Sequence, residues 1–203
     1  MLYLLKYTRL YSFDSINLYL TATTCFLIAA KSRDEPVPID YLVEWYIYFE
    51  FHRLNPKSTC VYIDDNKKKD YKEIIQDQEL DILEVLDFDT EVELPYKYLA
   101  EFRKTHSDTI FTKSDCSKYA VMFMNDAFLT TVPLYFPPQI IAAACIYMAC
   151  LYTMQKNKSL MEEIEKFNTS EWYKSIDETL DLETMTKVKD EIKKCYDKKA
   201  SSS

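Results

Sequence analysis

The side chains that most often perform catalysis or bind metals are few and scattered in this sequence. The two histidines, His52 and His106, stand apart, and no H-E-x-x-H or G-x-S-x-G motif is present. The six cysteines form no C-x-x-C pair; they are residues 25, 60, 116, 145, 150 and 195. We therefore predict no catalytic residue, no metal site and no cofactor. Several cysteines lie in apolar helical runs, which is typical of buried, reduced thiols in an intracellular protein.

Two sets of polar side chains lie within otherwise apolar helical patterns. Asn125 and Asp126 are adjacent, and we expect them to hydrogen-bond to backbone or to a neighbouring helix. Glu79 lies in the apolar stripe that Ile75 and Ile82 define, one turn from each. Such a carboxylate either reaches water at the edge of the core or pairs with a local lysine, or it lies at the rim of an interface.

Composition and charge exclude several classes of protein. The chain has 203 residues and no glycine, although tight hairpin turns and phosphate-binding loops depend on glycine. Its formal net charge of −8 argues against a nucleic-acid backbone as the main ligand. The longest apolar run, residues 140–154, is shorter than the roughly 20 residues that span a bilayer. We therefore expect a protein that does not span a membrane and whose acidic surface suits a basic protein partner.

A repeat of small residues organises the chain. Ala22, Cys25 and Ala29 fall on one face of a helix, and residues 142, 145 and 149 repeat the same small types 120 positions later. Periodicity predicts helices at 1–11, 18–31, 39–53 and 71–86, with a surface loop at 54–70. Further helices are predicted at 95–105, 113–130, 137–153, 160–175 and 181–197. We predict an all-α protein with domains at 1–92 and 93–198 and a disordered tail at 199–203.

Several motifs in this order resemble a known family. "TATTCFLIAAKSRDEP", then "ELDILEVLDFD" and "LPYKYLAEF", resemble the first cyclin box and its exit. "KYAVMFMNDAFLTT" and "FPPQIIAAACIYMA" resemble the second box of transcription-associated cyclins of the K, L and T kind. The C and H kinds match less well. The resemblance implies two tandem five-helix cyclin boxes, of which the first has no counterpart of the family's first helix.

The resemblance also implies a function. Cyclins are non-catalytic subunits that bind and activate a cyclin-dependent kinase, so a heterodimer without direct contact to nucleic acid or membrane is expected. The resemblance implies the nucleus as its location, with the cytoplasm as the alternative. The polar core of the family's kinase contact corresponds to Lys31 and Glu79. Leu83 and Phe88 match positions that pack against the kinase's mobile helix, and Asp34 belongs to the same edge. Arg33 departs from the family, since an acid is expected there.

Two alternatives without kinase activation stay open. One is an adaptor like the general transcription factor related to cyclins, which binds promoter DNA and proteins. Such an adaptor should have a basic face, and the charge of −8 argues against one. The other is a cyclin-fold scaffold that has lost kinase binding, which the reversed charge at Arg33 favours.

Overall fold

The computed structural model describes residues 1–57 and 64–200, without the side chains of Phe13 and residues 198–200. The chain divides into two compact units, Met1–Val92 and Glu93–Ser203. Throughout the described ranges the regular elements are helices, and no strand occurs. The prediction of an all-α protein is confirmed. In the part of the chain that the structure describes, no helix is long and apolar enough to cross a membrane.

The first unit contains four described α-helices. They are α1, Leu2–Thr8, α2, Leu18–Ser32, α3, Ile39–Leu54, and α4, Asp65–Val85. Helix α2 begins where the side chain of Asn17 accepts a hydrogen bond from the backbone N–H of Leu20. It ends before the two prolines at 36 and 38, as the sequence predicts.

The predicted boundary between the surface loop 54–70 and the following helix is wrong. Helix α4 begins at Asp65, where Asp64 accepts a hydrogen bond from the N–H of Asn66. Two lysines near its start pair with acids of α3: Lys68 with Glu44 at 2.7 Å and Lys72 with Asp40 at 3.0 Å. These contacts across helices replace the apolar periodicity that the stretch lacks. The rest of the predicted loop, including Cys60, lies largely outside the described residues.

Helix α2 packs against the other three helices of the first unit. Its buried residues are Thr21, Thr24, Cys25, Leu27 and Ile28. Cys25 and Ile28 join Ile82 and Leu86 of α4 and two tyrosines of α1 in one apolar cluster. A polar contact crosses the same interface, since Gln78 donates to the hydroxyl of Thr21 at 3.0 Å and accepts from Thr24 at 2.9 Å. The register of α2 on α4 is therefore fixed by hydrogen bonds as well as by packing.

The second unit contains seven described α-helices, and the fifth of them is largely buried. They are α5, Pro95–Thr105, α6, Ile110–Lys113, α7, Cys116–Ala127, α8, Val132–Tyr135, α9, Pro138–Lys156, α10, Met161–Asn168, and α11, Leu182–Ala200. The short helices α6 and α8 were not predicted. The predicted helix 160–175 is two elements, because Glu171 takes a positive φ of 50° before the 3₁₀ turn Trp172–Ser175.

The polar pair of α7 is structural, as predicted. The hydroxyl of Tyr96 donates to Asn125 at 2.6 Å, and the hydroxyl of Tyr196 donates to Asp126. Both partners lie on neighbouring helices of the same unit. Desolvation and the carboxylate raise the pKa of Tyr196, because both disfavour the phenolate. The pair therefore links α5 and α11 to α7.

Candidate partner-binding site

Lys31 and Glu79 meet at the surface of the first unit. Lys31 lies in the last turn of α2, and its Nζ is 2.7 Å from both carboxylate oxygens of Glu79 on α4. The lysine side chain is 55% exposed and the glutamate 15%. The side chains of Ile75 and Ile82, one turn to either side of Glu79, are fully buried. The acid thus has a local cation and also lies at the edge of the core.

This ion pair retains capacity for further hydrogen bonds. An ammonium has three donors and a carboxylate about four acceptor sites, so each group keeps some after pairing. An exposed pair contributes only about 0.2–1 kcal/mol to stability, because water screens it and two long side chains must be ordered. Substitution of either residue should leave the fold intact and affect mainly what the pair binds.

The chain after Lys31 turns in a compact left-handed C-cap. Asp34 has a φ of 55°, and its N–H donates to the carbonyl of Lys31. The N–H of Glu35 donates to the carbonyl of Ala30 at 3.0 Å. This is the Schellman motif, in which glycine usually takes the left-handed position. Aspartate tolerates that conformation better than most residues, and it fills the position in a chain that lacks glycine.

Helix α4 ends with the same motif. The N–H of Asp87 donates to Glu84, and the N–H of Phe88 donates to the carbonyl of Leu83 at 2.8 Å. Leu83 and Phe88 therefore belong to one helix end, at positions whose side chains commonly contact each other in this motif. The two differ in burial: Leu83 is partly buried against the apolar cluster, whereas Phe88 is 61% exposed.

Phe88 has an unusual backbone conformation. Its φ is 56°, and the preceding Asp87 is also left-handed at 52°. A bulky side chain is rare in this region, and such strain costs on the order of 1–3 kcal/mol. An exposed aromatic ring held at that cost gains nothing from core packing. Phe88 is thus the strongest apolar candidate for contact with another molecule at this edge.

Tyr3 connects the two helix ends, a role that no sequence pattern indicated. Its hydroxyl donates to the carbonyl of Thr90 at 2.6 Å and lies 3.4 Å from the hydroxyl of Ser32. The ring is buried in the cluster between α1, α2 and α4. Tyr3 of α1 therefore contacts both Ser32, which follows Lys31, and Thr90, which lies two residues after Phe88.

Two charged residues beside Lys31 are exposed. Asp34 is at the surface, so its carboxylate is accessible while its backbone closes the helix. Arg33 is exposed at the C-cap, and within residues 1–57 and 64–200 it has no ion-pair partner. The departure from the family pattern noted above thus leaves a free positive charge at this edge.

Potential metal ligands do not cluster in the described ranges, and the cysteines there form no disulfide. No group of three or more His, Cys, Asp or Glu side chains there is arranged to hold a metal ion. The five described cysteines are free thiols, four of them buried. Burial raises the pKa of Cys25 to about 11 and also raises that of Cys145, so both are neutral at pH 7. Cys25 and Cys145 are therefore core residues.

Comparisons with known proteins find similarity to cyclins. A family described as "Cyclin-T2-like, C-terminal domain" matches residues 105–195. Cyclin-C1-2 of Arabidopsis thaliana is 28% identical over 159 residues, which are 77% of this chain and 56% of that protein. Human cyclin-K is 25% identical over 158 residues, 76% of this chain and 26% of cyclin-K.

A third relative is named for its place in the transcription machinery. It is the RNA polymerase II holoenzyme cyclin-like subunit of Eremothecium gossypii, 28% identical over 170 residues, which are 81% of this chain and 47% of that protein. An alignment of that length includes part of the first unit, because the second comprises only residues 93–203. The chain spans between about a quarter and somewhat over half the length of these three relatives.

These relatives carry the names of cyclins or of a cyclin-like subunit, which agrees with the prediction that the chain is not itself an enzyme. Cyclins of the C, K and T kinds match at similar identity, so the comparisons do not single out one subgroup. The resemblance predicted from the motifs is confirmed: the chain is similar to cyclins of the C, K and T kinds, and residues 105–195 match the cyclin-T2-like C-terminal domain.

Proposed function

We propose that this chain is a regulatory subunit that binds and activates a cyclin-dependent protein kinase acting in transcription. The observation that carries the proposal is the Lys31–Glu79 ion pair, which is formed between α2 and α4 and is still open to a partner. The similarity to transcription-associated cyclins supports the same proposal. The expected assembly is a nuclear heterodimer, and the tandem arrangement of two cyclin boxes, 1–92 and 93–198, is part of the proposal.

Each residue of the edge has a distinct task in this proposal. The free donor of Lys31 and the free acceptor sites of Glu79 bind backbone groups of the kinase with charge-assisted hydrogen bonds. Phe88, with Leu83 beneath it, packs against the kinase's mobile helix. Asp34 fixes the direction of the chain after Lys31 and offers its carboxylate at the rim.

The activating step is a shift in the kinase's conformational equilibrium. A subunit that binds only the arrangement with the mobile helix turned inward favours that arrangement by its difference in affinity for the two states. The inward arrangement forms the kinase's own lysine–glutamate pair, which positions the ATP phosphates. This chain contributes no catalytic group.

The test is to mix the chain with transcriptional kinases of its source organism and to measure both binding and phosphorylation of the polymerase tail. Glu79→Ala and Lys31→Ala should each weaken binding by at least about tenfold, because each leaves an unpaired charge in a partly dry contact. The matched control is Lys97→Ala, which removes an exposed pair with Glu93 in the second unit. It should change neither quantity.

The result also distinguishes activation from scaffolding. Binding without stimulation of any kinase would favour the scaffold, for which the unpaired Arg33 is the supporting observation. Full stimulation by the Glu79→Ala chain, or no association with any kinase, would contradict the proposal.

A further inference from the structure

An open apolar groove runs between α2 and α3 in the first unit. It has a volume of about 560 Å³ and is lined by Tyr19, Ala22, Thr23, Phe26, Val37, Tyr41, Leu42, Trp45 and Phe49. No charged side chain is among these residues. Three of the aromatic side chains are more than half exposed: Phe26 at 56%, Tyr41 at 61% and Trp45 at 59%. This face does not touch the Lys31–Glu79 pair, so its role is independent of the function proposed above.

The second unit shows how the corresponding face is used there. The repeat at 120 residues aligns α2 with α9, and α3 with α10 and the 3₁₀ turn that follows it. Ala22, Thr23 and Phe26 then correspond to residues 142, 143 and 146. These three residues of α9 are fully buried, whereas Phe26 is largely exposed. The equivalent face is thus packed in the core on α9 and exposed on α2.

Helix α5 accounts for the difference. It packs on α9 and buries Pro95, Leu99 and Phe102 at positions i, i+4 and i+7. The ring of Phe102 also contacts Phe167 of α10 and Trp172 of the following turn, with centroids 6.3 and 5.3 Å apart. Helix α5 therefore covers the groove between α9 and α10. Among the described residues of the first unit, no helix corresponds to it.

We propose that the groove between α2 and α3 binds an amphipathic helix of a partner protein, held as α5 is held in the second unit. The helix presents large apolar side chains at i, i+4 and i+7 and no charge on that face, because no charge lines the groove. This is the helix-in-groove mode of recognition, with aromatic side chains of the receptor as anchors.

The size of the exposed surface favours one helix over a second copy of the chain. The five aromatic side chains of the groove are about half exposed, which leaves roughly 500 Å² of aromatic surface at about 200 Å² per side chain. That is within the range of the largest functional patches on single proteins. A stable contact between two folded chains needs about 800 Å² from each.

The test uses the full chain and a peptide of the α5 sequence, PYKYLAEFRKT, as a stand-in for the partner helix. A lactam bridge between the Lys97 and Glu101 positions, both exposed in the protein and one turn apart, fixes the helix without touching its apolar stripe. Trp45 is the reporter, because the only other tryptophan, Trp172, is buried. Binding should shift the Trp45 emission to the blue, saturably.

Matched variants locate the binding. Phe26→Asp and, independently, Ala22→Arg should weaken binding at least about tenfold, as truncation of central anchors does. Leu129→Asp, at a side chain 61% exposed in the second unit, is the control and should bind normally. A peptide with Asp at the Leu99 and Phe102 positions should not bind. Circular dichroism melts of all variants establish that they are folded.

Two results would overturn the proposal. One is the absence of a shift with the bridged peptide, or a shift that Phe26→Asp and Ala22→Arg leave undiminished. The other is sedimentation of the peptide-free chain as a dimer that Phe26→Asp dissociates, since the groove would then be covered by a second copy.

Discussion

Phe88 illustrates how one residue reports on both strain and function. Its side chain is 61% exposed at a φ of 56°, so the fold gains little from it and bears its backbone cost. Lys31 and Glu79 are similar in this respect, because an open ion pair adds little to stability. Phe88, Lys31 and Glu79 thus add little to stability or reduce it. A role in binding would explain why such residues are kept together at one edge.

The first prediction concerns Phe88→Asn. Asparagine accepts left-handed backbone more readily than phenylalanine, so the first unit should gain about 0.5–1 kcal/mol of stability. Kinase binding should fall at the same time, because the exposed ring is lost. Urea unfolding and a kinase pull-down measure the two effects. Leu129→Asn, an exposed site outside this edge, should change neither, and a destabilised Phe88→Asn chain would contradict the strain argument.

The second prediction concerns the pH dependence of stability through Cys25. Burial raises its folded pKa from 9.0 to about 11, so the folded state favours the neutral thiol. The contribution of this neutral thiol to the free energy of unfolding is fully present below pH 9. It is lost as pH rises toward 11, because in that range the unfolded chain binds fewer protons than the folded one. Between those values the wild type should lose about 2 kcal/mol more than Cys25→Ala, which removes the titrating group.

Urea midpoints at pH 8, 9, 10 and 11 measure this difference. The tyrosines titrate in both proteins, so the informative quantity is the difference in stability between the wild type and Cys25→Ala at each pH. Cys195→Ala, at a half-buried thiol of the second unit, serves as control. Parallel curves for wild type and Cys25→Ala would refute the assignment.

At the scale of elements, the ends of α2 and α4 determine what the first unit presents. Both helices end in a Schellman motif with aspartate in the left-handed position. Tyr3 of α1 joins the segments that follow them. The start of α2 is also fixed, since Asn17 accepts from the N–H of Leu20 and donates to Tyr46 and Glu50 of α3. The helix is thus held at both ends as well as along its packed face.

The third prediction concerns this N-cap. Asn17→Ala should destabilise the first unit by about 1–2 kcal/mol, because the cap bond and the contacts to α3 are lost together. Asn17→Asp should restore part of the loss, since its carboxylate caps the helix but cannot donate to Tyr46. Thermal unfolding by circular dichroism measures both variants. Equal melting of wild type and Asn17→Ala would show that packing alone holds α2.

At the scale of the whole molecule, charge separates the proposed function from the adaptor alternative. A net charge of −8 argues against binding to a phosphate backbone, and ion pairs already engage Lys31, Lys68 and Lys72 of the first unit. The proposed kinase contact needs no basic surface, because its polar contacts would go to backbone groups.

The fourth prediction follows from that charge. The chain should not retard a duplex DNA fragment at physiological salt, and any retention at low salt should disappear as salt is raised. An electrophoretic shift assay at 50 and 150 mM salt measures this, with a basic DNA-binding protein as positive control. Tight binding with a steep salt slope would instead favour the DNA-binding adaptor.

Sequence alone determined what depends on local periodicity. The helical class, the buried helices α2 and α9 with their shared spacing, and the anomaly of Glu79 all follow from side chains three or four positions apart. Motif order supplied the family resemblance that the comparisons confirm. These are properties of neighbours along the chain, which a pattern records directly.

Tertiary structure decided what depends on residues far apart in sequence. The early start of α4 rests on lysines paired with α3, and the support for the Lys31–Glu79 edge rests on Tyr3, which is 87 positions from its partner Thr90. The left-handed ends of α2 and α4 carry no glycine to mark them. The open groove exists only because no described helix of the first unit covers it. Such contacts are set by three-dimensional packing, on which local periodicity carries no information.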